Sequence, residues 1–193
     1  MKHCCRLLLL IITFSLLACA VSSIDPKLQP QPKAETTIFE EAETKFRQKS
    51  YEAALQVYSN FLSRFPDSPS ADLVLRRIAT IHRHLGDQDS ELKAFRQLTA
   101  EFPDSPYAST ANYEIMLALH RKGKSKQVIL QSSTIIKRSN SDDLLYRTYA
   151  ILGETYVSLG SPVDAVFFYN LAFSKADSFQ KENTIKKLKD IVK

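Results

Sequence analysis

Two neighbouring histidines, His82 and His84, are candidates for metal binding or proton transfer. On a helix, residues two apart point about 200° away from each other, whereas a shared metal needs ligands one turn apart, at i and i+4. The two imidazoles therefore cannot hold one metal ion together. We expect both histidines to be packed or solvated, and we expect no metal site at this pair.

Adjacent carboxylates at Asp142 and Asp143 suggest acid–base chemistry. They stand where a helix is expected to begin, and acidic side chains there complement the positive end of the helix dipole. We therefore interpret the pair as a helix start. The chain contains no glycine-rich phosphate loop or nucleophile elbow, and its three cysteines all lie within the first 19 residues. We expect no enzymatic activity, no cofactor and no metal.

The formal net charge of +5 is modest for a chain of 193 residues. Nucleic-acid-binding proteins usually carry a larger basic excess that is concentrated on one surface. Composition therefore does not favour nucleic acid as a partner.

A repeat with a period of 37 residues organises most of the chain. Lys49, Gly86, Gly123 and Gly160 are spaced by this interval, and they include three of the four glycines. The segment FPDSP at 65–69 recurs at 102–106. Apolar positions follow the same register, as in the series Leu55, Leu92, Ile129, Val166 and the series Tyr58, Phe95, Ser132, Tyr169, in which Ser132 is the exception. Such a period indicates stacked units that bury their apolar faces only against one another.

Each unit is predicted to contain two helices. Apolar residues between 46 and 65 recur every three to four positions, which is typical of an amphipathic helix. The glycine ladder is expected to end the first helix of each unit, and Pro66 and Pro103 to end the second. Pro69 and Pro106 are expected in the first turn of the helix that follows. No segment alternates with the period of a strand, so the fold class is predicted to be all-α.

Two segments resemble the second helix of a tetratricopeptide repeat: KSYEAALQVY at 49–58 and GSPVDAVFFY at 160–169. LGETY at 152–156 resembles the first helix. The resemblance covers residues 38–176 in four repeats and is weaker in the middle, where Gln88 and Ser125 replace the tyrosine preferred by the family. It implies a right-handed α-solenoid of about four helical hairpins, with period 37 instead of the family's usual 34, closed by a C-terminal capping helix.

The N-terminus has the pattern of an export signal. Lys2 and Arg6 precede an apolar run at 7–17, which is too short for a comfortable membrane span. The sequence LLAC at 16–19 resembles a bacterial lipobox and implies cleavage before an acylated Cys19. Ala20 in place of aspartate implies sorting to the outer membrane. The alternative is an ordinary signal peptide followed by an incidental cysteine.

These features predict four segments. Residues 1–18 form a lipoprotein signal peptide, and residues 19–37 form an acylated cysteine with a proline-rich tether. Residues 38–176 form four repeats, and residues 177–193 form the capping helix. Fully extended, the tether from residue 21 would reach roughly 50 Å. The other two cysteines lie in the signal peptide, so the mature chain would have no disulfide.

The resemblance also implies a binding surface, because the first helix of each tetratricopeptide repeat lines a concave groove. The repeat register selects Arg76, Arg77, Arg83, His84, Glu114, His120, Arg121, Arg147 and Glu154. We expect the middle of the groove to be basic and to hold an acidic peptide or a free C-terminus through bidentate arginine contacts. Alternatively, these long side chains only solvate a helical face.

The resulting hypothesis is a non-enzymatic protein–protein interaction scaffold, lipid-anchored on the periplasmic face of a Gram-negative outer membrane. It resembles repeat lipoproteins of β-barrel assembly or of the Tol-Pal system, and its partner would be an envelope protein or peptide whose identity stays open. One alternative, suggested by the abrupt C-terminus, is the N-terminal repeat module of a penicillin-binding protein activator without its periplasmic-binding-protein domain. Another is a structural spacer with no dedicated ligand.

Overall fold

The structure is a computed structural model that describes residues 33–192. Within this range every regular element is a helix, which confirms the all-α prediction. The helices are α1 (Lys33–Arg47), α2 (Tyr51–Arg64), α3 (Ala71–Leu85), α4 (Gln88–Glu101), α5 (Ala108–Arg121), α6 (Ser125–Arg138), α7 (Asp142–Ser158), α8 (Pro162–Lys175) and α9 (Ser178–Val192). None of them has the length and apolar run needed to cross a membrane. The predicted signal peptide and Cys19 lie outside the described residues.

The helices form four hairpins that stack in chain order. The hairpins are α1/α2, α3/α4, α5/α6 and α7/α8, each packing against the next, and α9 packs against α8. Buried clusters join neighbouring hairpins: Tyr58 and Phe61 of the first share a cluster with Val74 and Ile81 of the second. The chain is therefore a solenoid, and α9 occupies the predicted capping position.

The first helix begins at Lys33, five residues before the predicted start of the repeats at residue 38. Glu35 explains the earlier start, because its side chain is buried and accepts a hydrogen bond from the Ser68 hydroxyl. Residues 33–37, assigned to the tether from the sequence, are thus part of the first hairpin.

All four positions of the ladder adopt the left-handed backbone conformation. Gly86, Gly123 and Gly160 have φ of 76°, 65° and 71°, and Lys49 has φ of 59°. Glycine reaches this region without a steric penalty, and a residue there reverses the chain after a helix. The sequence prediction that these positions end the first helix of each repeat is confirmed.

The prolines of the FPDSP segments lie in the turn and not in the first turn of the next helix, so that prediction is wrong. Helix α3 begins at Ala71 and α5 at Ala108, two residues after Pro69 and Pro106. The preceding serine explains the delay. The Ser68 hydroxyl accepts a hydrogen bond from the backbone N–H of Ser70 at 3.0 Å, which extends the turn before the helix starts.

Helices within a hairpin approach closely where a small residue faces an aromatic ring. Ala42 shares a buried cluster with Tyr58, and Ala79 shares one with Phe95. In the fourth hairpin, a Cβ atom on Gly153 would lie 2.8 Å from the Tyr169 ring, so only glycine fits there. One position of each of these hairpins is therefore held small by the bulk of its partner.

The third hairpin reverses this size pattern. Its equivalent positions, one period before Gly153 and Tyr169, are Met116 and Ser132, and both are buried. In this hairpin the large residue is on the first helix and the small residue is on the second. Ser132, which looked like a defect in the sequence series, is thus matched by a compensating methionine.

We predict that this exchange can be reversed only by changing both residues. Ser132→Phe alone should overpack the crossing and cost about 1–3 kcal/mol, and Met116→Ala alone should leave a cavity costing about 2–5 kcal/mol. The double variant recreates the Ala79–Phe95 pair. Its free energy of unfolding should exceed, by at least about 1 kcal/mol, the value expected if the two single losses simply added. Urea unfolding of the four proteins measures this coupling, and strictly additive losses would contradict it.

Candidate functional site

The predicted groove residues divide between two clefts, and three of them line neither. A central cleft of about 440 Å³ is formed by α3, α4, α5 and α7. Its lining comprises Arg83, Gly86, Gln88, Glu91, Tyr113, Glu114, Leu117, Arg121 and Arg147. A second cleft contains His120 and Glu154. Arg76, Arg77 and His84 lie outside the lining of both.

Arg77 belongs to a partly buried network at the first repeat interface. Its guanidinium donates two hydrogen bonds to the Glu43 carboxylate, from Nε at 2.8 Å and from Nη2 at 3.1 Å. The Tyr58 hydroxyl donates to the same carboxylate at 2.6 Å. Burial raises the pKa of Glu43, but the hydrogen bonds from Arg77 and Tyr58 and the charges of Arg77 and Arg47 outweigh it and leave the pKa below its usual range. Arg77 therefore joins repeats.

Arg83 also connects structural elements. It donates from Nε to Glu91 at 2.6 Å and pairs through Nη2 with Glu114 at 2.9 Å. Glu91 stands in α4 and Glu114 in α5, so one guanidinium ties three helices together. Replacing Arg83 would leave two carboxylates facing each other without their shared cation.

Three other predicted residues lie against aromatic rings. Arg147 lies 4.9 Å from the centroid of Tyr113 and forms an ion pair with Asp143 one turn away. Arg76 lies 4.8 Å from the centroid of Tyr107, and the His84 ring stacks on Tyr51. Such contacts fix the planes of the two guanidinium groups and of the imidazole ring at the surface. His82, two residues before His84, has a different neighbour: its Nδ1 lies 3.6 Å from Asp87 Oδ2.

Arg121 is the arginine of the central cleft for which the described residues provide no ion-pair partner. It lines the central cleft, its side chain is exposed, and no carboxylate within residues 33–192 forms an ion pair with it. The nearby arginines Arg83 and Arg147 are offset by the carboxylates Glu91, Glu114 and Asp143. The middle of the groove is therefore close to balanced in charge, with one cation available at its edge.

His120 and Glu154 meet in the second cleft. His120 Nε2 lies 3.3 Å from Glu154 Oε2, and the Lys187 ammonium of α9 donates to Glu154 Oε1 at 2.8 Å. Sequence reasoning selected the first two residues and missed Lys187. The register carried a signal for it, because Lys187 stands three periods after Arg76, one of the selected residues.

The arrangement of charged groups, a phenol and apolar surface is suited to binding. Among the described residues, no three His, Cys, Asp or Glu side chains come together as a metal site would require. Burial raises the pKa of Tyr113, so this phenol stays protonated beside Arg147 and can donate a hydrogen bond into the cleft. Tyr113 was not selected from the sequence, since its counterpart one period earlier is Arg76.

Comparisons with known proteins agree with the fold. A family model described as tetratricopeptide repeat matches residues 37–68 and 74–105, the first hairpin and most of the second. No curated protein sequence matches the chain. Among solved structures, MamA residues 41 to the end, from Desulfovibrio magneticus RS-1, is similar with a TM-score of 0.60 and 13% identity, covering 84% of this chain and 96% of that chain.

Two further structures align at a TM-score of 0.44, too low to support an argument. PilW, described as a widely conserved type IV pilus biogenesis factor, shares 13% identity, with coverage of 83% of this chain and 91% of its own. TTC0263, a thermophilic tetratricopeptide protein of Thermus thermophilus, shares 18% identity, with coverage of 80% and 98%. The family match and the MamA similarity establish a tetratricopeptide-like solenoid, a fold that commonly serves as a protein-interaction scaffold.

We predict that the Glu43 network stabilises the protein in a pH-dependent manner. Glu43→Gln should lower the free energy of unfolding by about 2 kcal/mol at pH 7, because charge-assisted hydrogen bonds to Arg77 and Tyr58 weaken. A carboxylate with a lowered folded-state pKa stabilises above its unfolded pKa of about 4.3 and loses this effect as pH falls through the folded value.

The measurement is urea unfolding of both proteins at pH 7 and at pH 3. The difference between them should shrink at the lower pH. Glu41→Gln, on the same helix at an exposed position, provides the control and should change little at either pH. A difference that is equal at both pH values would show that the charge of Glu43 is unimportant.

Proposed function

We propose that the chain is a non-enzymatic scaffold that binds an extended segment of an envelope protein in the central cleft between α3, α5 and α7. The observation that carries this proposal is the composition of that cleft. Arg121 offers a cation without an ion-pair partner in the described part of the chain, the Tyr113 phenol offers a donor, and Leu117 offers half-buried apolar surface. An acidic side chain or a terminal carboxylate beside an apolar residue complements this set.

The cations that can contact a ligand are those that do not already form ion pairs within the protein. Arg77 and Arg83 hold neighbouring helices together, so a ligand would have to compete with their own carboxylates. Arg121 requires no such exchange, and Arg76 faces the Tyr107 ring. We therefore assign ligand contact within the central cleft to Arg121, and contact with the part of an extended ligand that reaches beyond the cleft to Arg76. Arg77 and Arg83 have a positioning role.

The proposal includes a lipid anchor at Cys19 on the periplasmic face of the outer membrane. Its support is the order of features in the sequence: basic residues, an apolar run, then LLAC at 16–19. A protein held at a membrane surface by an acylated cysteine can present a groove to envelope partners without a membrane-spanning helix. A structural spacer would carry the same anchor but would bind nothing in the groove.

We predict that replacing Arg76 and Arg121 with glutamate abolishes partner binding and leaves the fold intact. A photo-crosslinking amino acid at Leu117 in the host cell, with mass spectrometry of the products, identifies what the cleft contacts. Arg76→Glu with Arg121→Glu should reduce that product at least about 30-fold, and the loss should deepen as ionic strength falls. Circular dichroism should show unchanged helicity.

The control is Lys186→Glu with Lys189→Glu on α9, which changes the net charge equally at exposed positions. Lys187 is unsuitable for this control because it pairs with Glu154. Equal crosslinking by the groove variant and the wild type would place the binding surface elsewhere. A Leu117 probe that yields no envelope product in either protein would favour the spacer.

We predict that Cys19→Ala prevents lipidation and leaves the protein uncleaved or released from the membrane fraction. Stable anchoring requires more than one acyl chain, which only the modified cysteine would supply. Mass spectrometry of the mature N-terminus decides the question. Cys5→Ala, within the predicted signal peptide, should have no effect. An unmodified Cys19, or cleavage at another residue, would overturn the anchor.

A further inference from the structure

A cleft of about 520 Å³ separates the last repeat from the capping helix. It lies at the end of the solenoid, away from the central cleft. Helices α5, α7, α8 and α9 contribute to its walls. The lining residues are His120, Glu154, Val157, Ser158, Gly160, Pro162, Tyr169, Lys187, Asp190 and Ile191.

The repeat register links this cleft to the Arg77 network of the first repeat. Glu154 and Tyr169 stand three periods after Glu43 and Tyr58. In the first repeat, Glu43 and Tyr58 face helix α3 of the second repeat. Arg77 of that helix donates two hydrogen bonds to the Glu43 carboxylate. The fourth repeat thus repeats the acidic half of a site that elsewhere holds a guanidinium.

The bidentate arginine of the first repeat has no counterpart in α9. Glu154 instead meets two different groups, Lys187 at Oε1 and His120 at Oε2. Three periods after Arg77 the chain has Leu188, and the neighbouring Lys187 reaches Glu154 through a single hydrogen bond. The Lys187 side chain is 54% exposed, and an exposed ion pair of this kind contributes little to stability. Within residues 33–192, the Tyr169 hydroxyl makes no hydrogen bond, whereas the Tyr58 hydroxyl donates to Glu43. Glu154 and Tyr169 both line the cleft.

The chemistry of the lining favours a cation with an aliphatic stem. The lining contains two carboxylates, Glu154 and Asp190, beside the Lys187 ammonium and the His120 ring. Val157, Pro162 and Ile191 supply apolar wall. An arginine side chain matches both features, because its methylene stem packs on apolar surface while its planar guanidinium donates two parallel hydrogen bonds to one carboxylate. A lysine ammonium makes only point contacts, as Lys187 does.

We propose that this terminal cleft binds an arginine side chain of a partner protein, with the guanidinium displacing Lys187 from Glu154. The site would take a ligand opposite in charge to the one proposed for the central cleft, and it stands on separate residues. The bound arginine would reproduce at the end of the solenoid the contact that Arg77 makes between the first two repeats.

Nuclear magnetic resonance titration of the purified full-length protein in detergent tests the proposal. The probes are N-acetyl-arginine methylamide and its neutral isostere N-acetyl-citrulline methylamide. The arginine probe should produce saturable shifts in the backbone amides of residues 154–160 and 187–191, and the citrulline probe should produce none. Glu154→Gln should weaken binding at least about tenfold, because it removes the charge that pairs with the guanidinium.

Lys187→Ala provides the decisive second variant, since Lys187 is exposed and its loss should leave the fold intact. Removing the competing ammonium should strengthen binding of the arginine probe several-fold, while Lys186→Ala should leave it unchanged. Shifts that are equal for arginine and citrulline, or that survive Glu154→Gln, would overturn the proposal. Weaker binding in Lys187→Ala would also overturn it, because it would make Lys187 part of the site instead of its competitor.

Discussion

The close crossing of the two helices in each hairpin is the constraint on which the rest of the structure depends. In three of the four hairpins, an aromatic ring on the second helix fills the space beside a residue with little or no side chain on the first. Gly153 against Tyr169 is the extreme case, since even a methyl group would overlap the ring. This contact sets the angle and separation of the helices, and these in turn determine which faces remain for the neighbouring hairpin and for the groove.

Electrostatic pairs then connect successive hairpins across the groove. Arg83 and His120 occupy equivalent positions one period apart, and each reaches a glutamate of the following first helix, Glu114 and Glu154 respectively. These two glutamates thus mainly stabilise the packing of the solenoid. An extended ligand would find few unengaged cations, and its specificity would depend on where the pairing is incomplete.

The sequence predicted the backbone more fully than the groove. The glycines of the ladder predict turns, because few residues other than glycine adopt the left-handed conformation easily. The 37-residue period predicts how the helices pack. The pairs that balance the groove have no such signature. Arg83 finds Glu91 eight residues on and Glu114 thirty-one residues on, and neither separation follows from the period. A long side chain can select among several carboxylates, and only the packed geometry decides which one it meets.

The two ends of the solenoid show how one local pattern can acquire different roles. Glu43 and Tyr58 are covered by a neighbouring repeat, so their carboxylate and hydroxyl are used within the fold. Glu154 and Tyr169 carry the same groups to a terminus where the next element is a capping helix of different sequence. The two repeats between them have Thr80 and Leu117 at the position of the glutamate, so the acceptor is shared only by the first and fourth repeats. Glu43 meets a bidentate arginine, whereas Glu154 meets the exposed Lys187 and His120. The group that faces the carboxylate, and not the carboxylate itself, therefore decides whether this position serves the fold or a ligand.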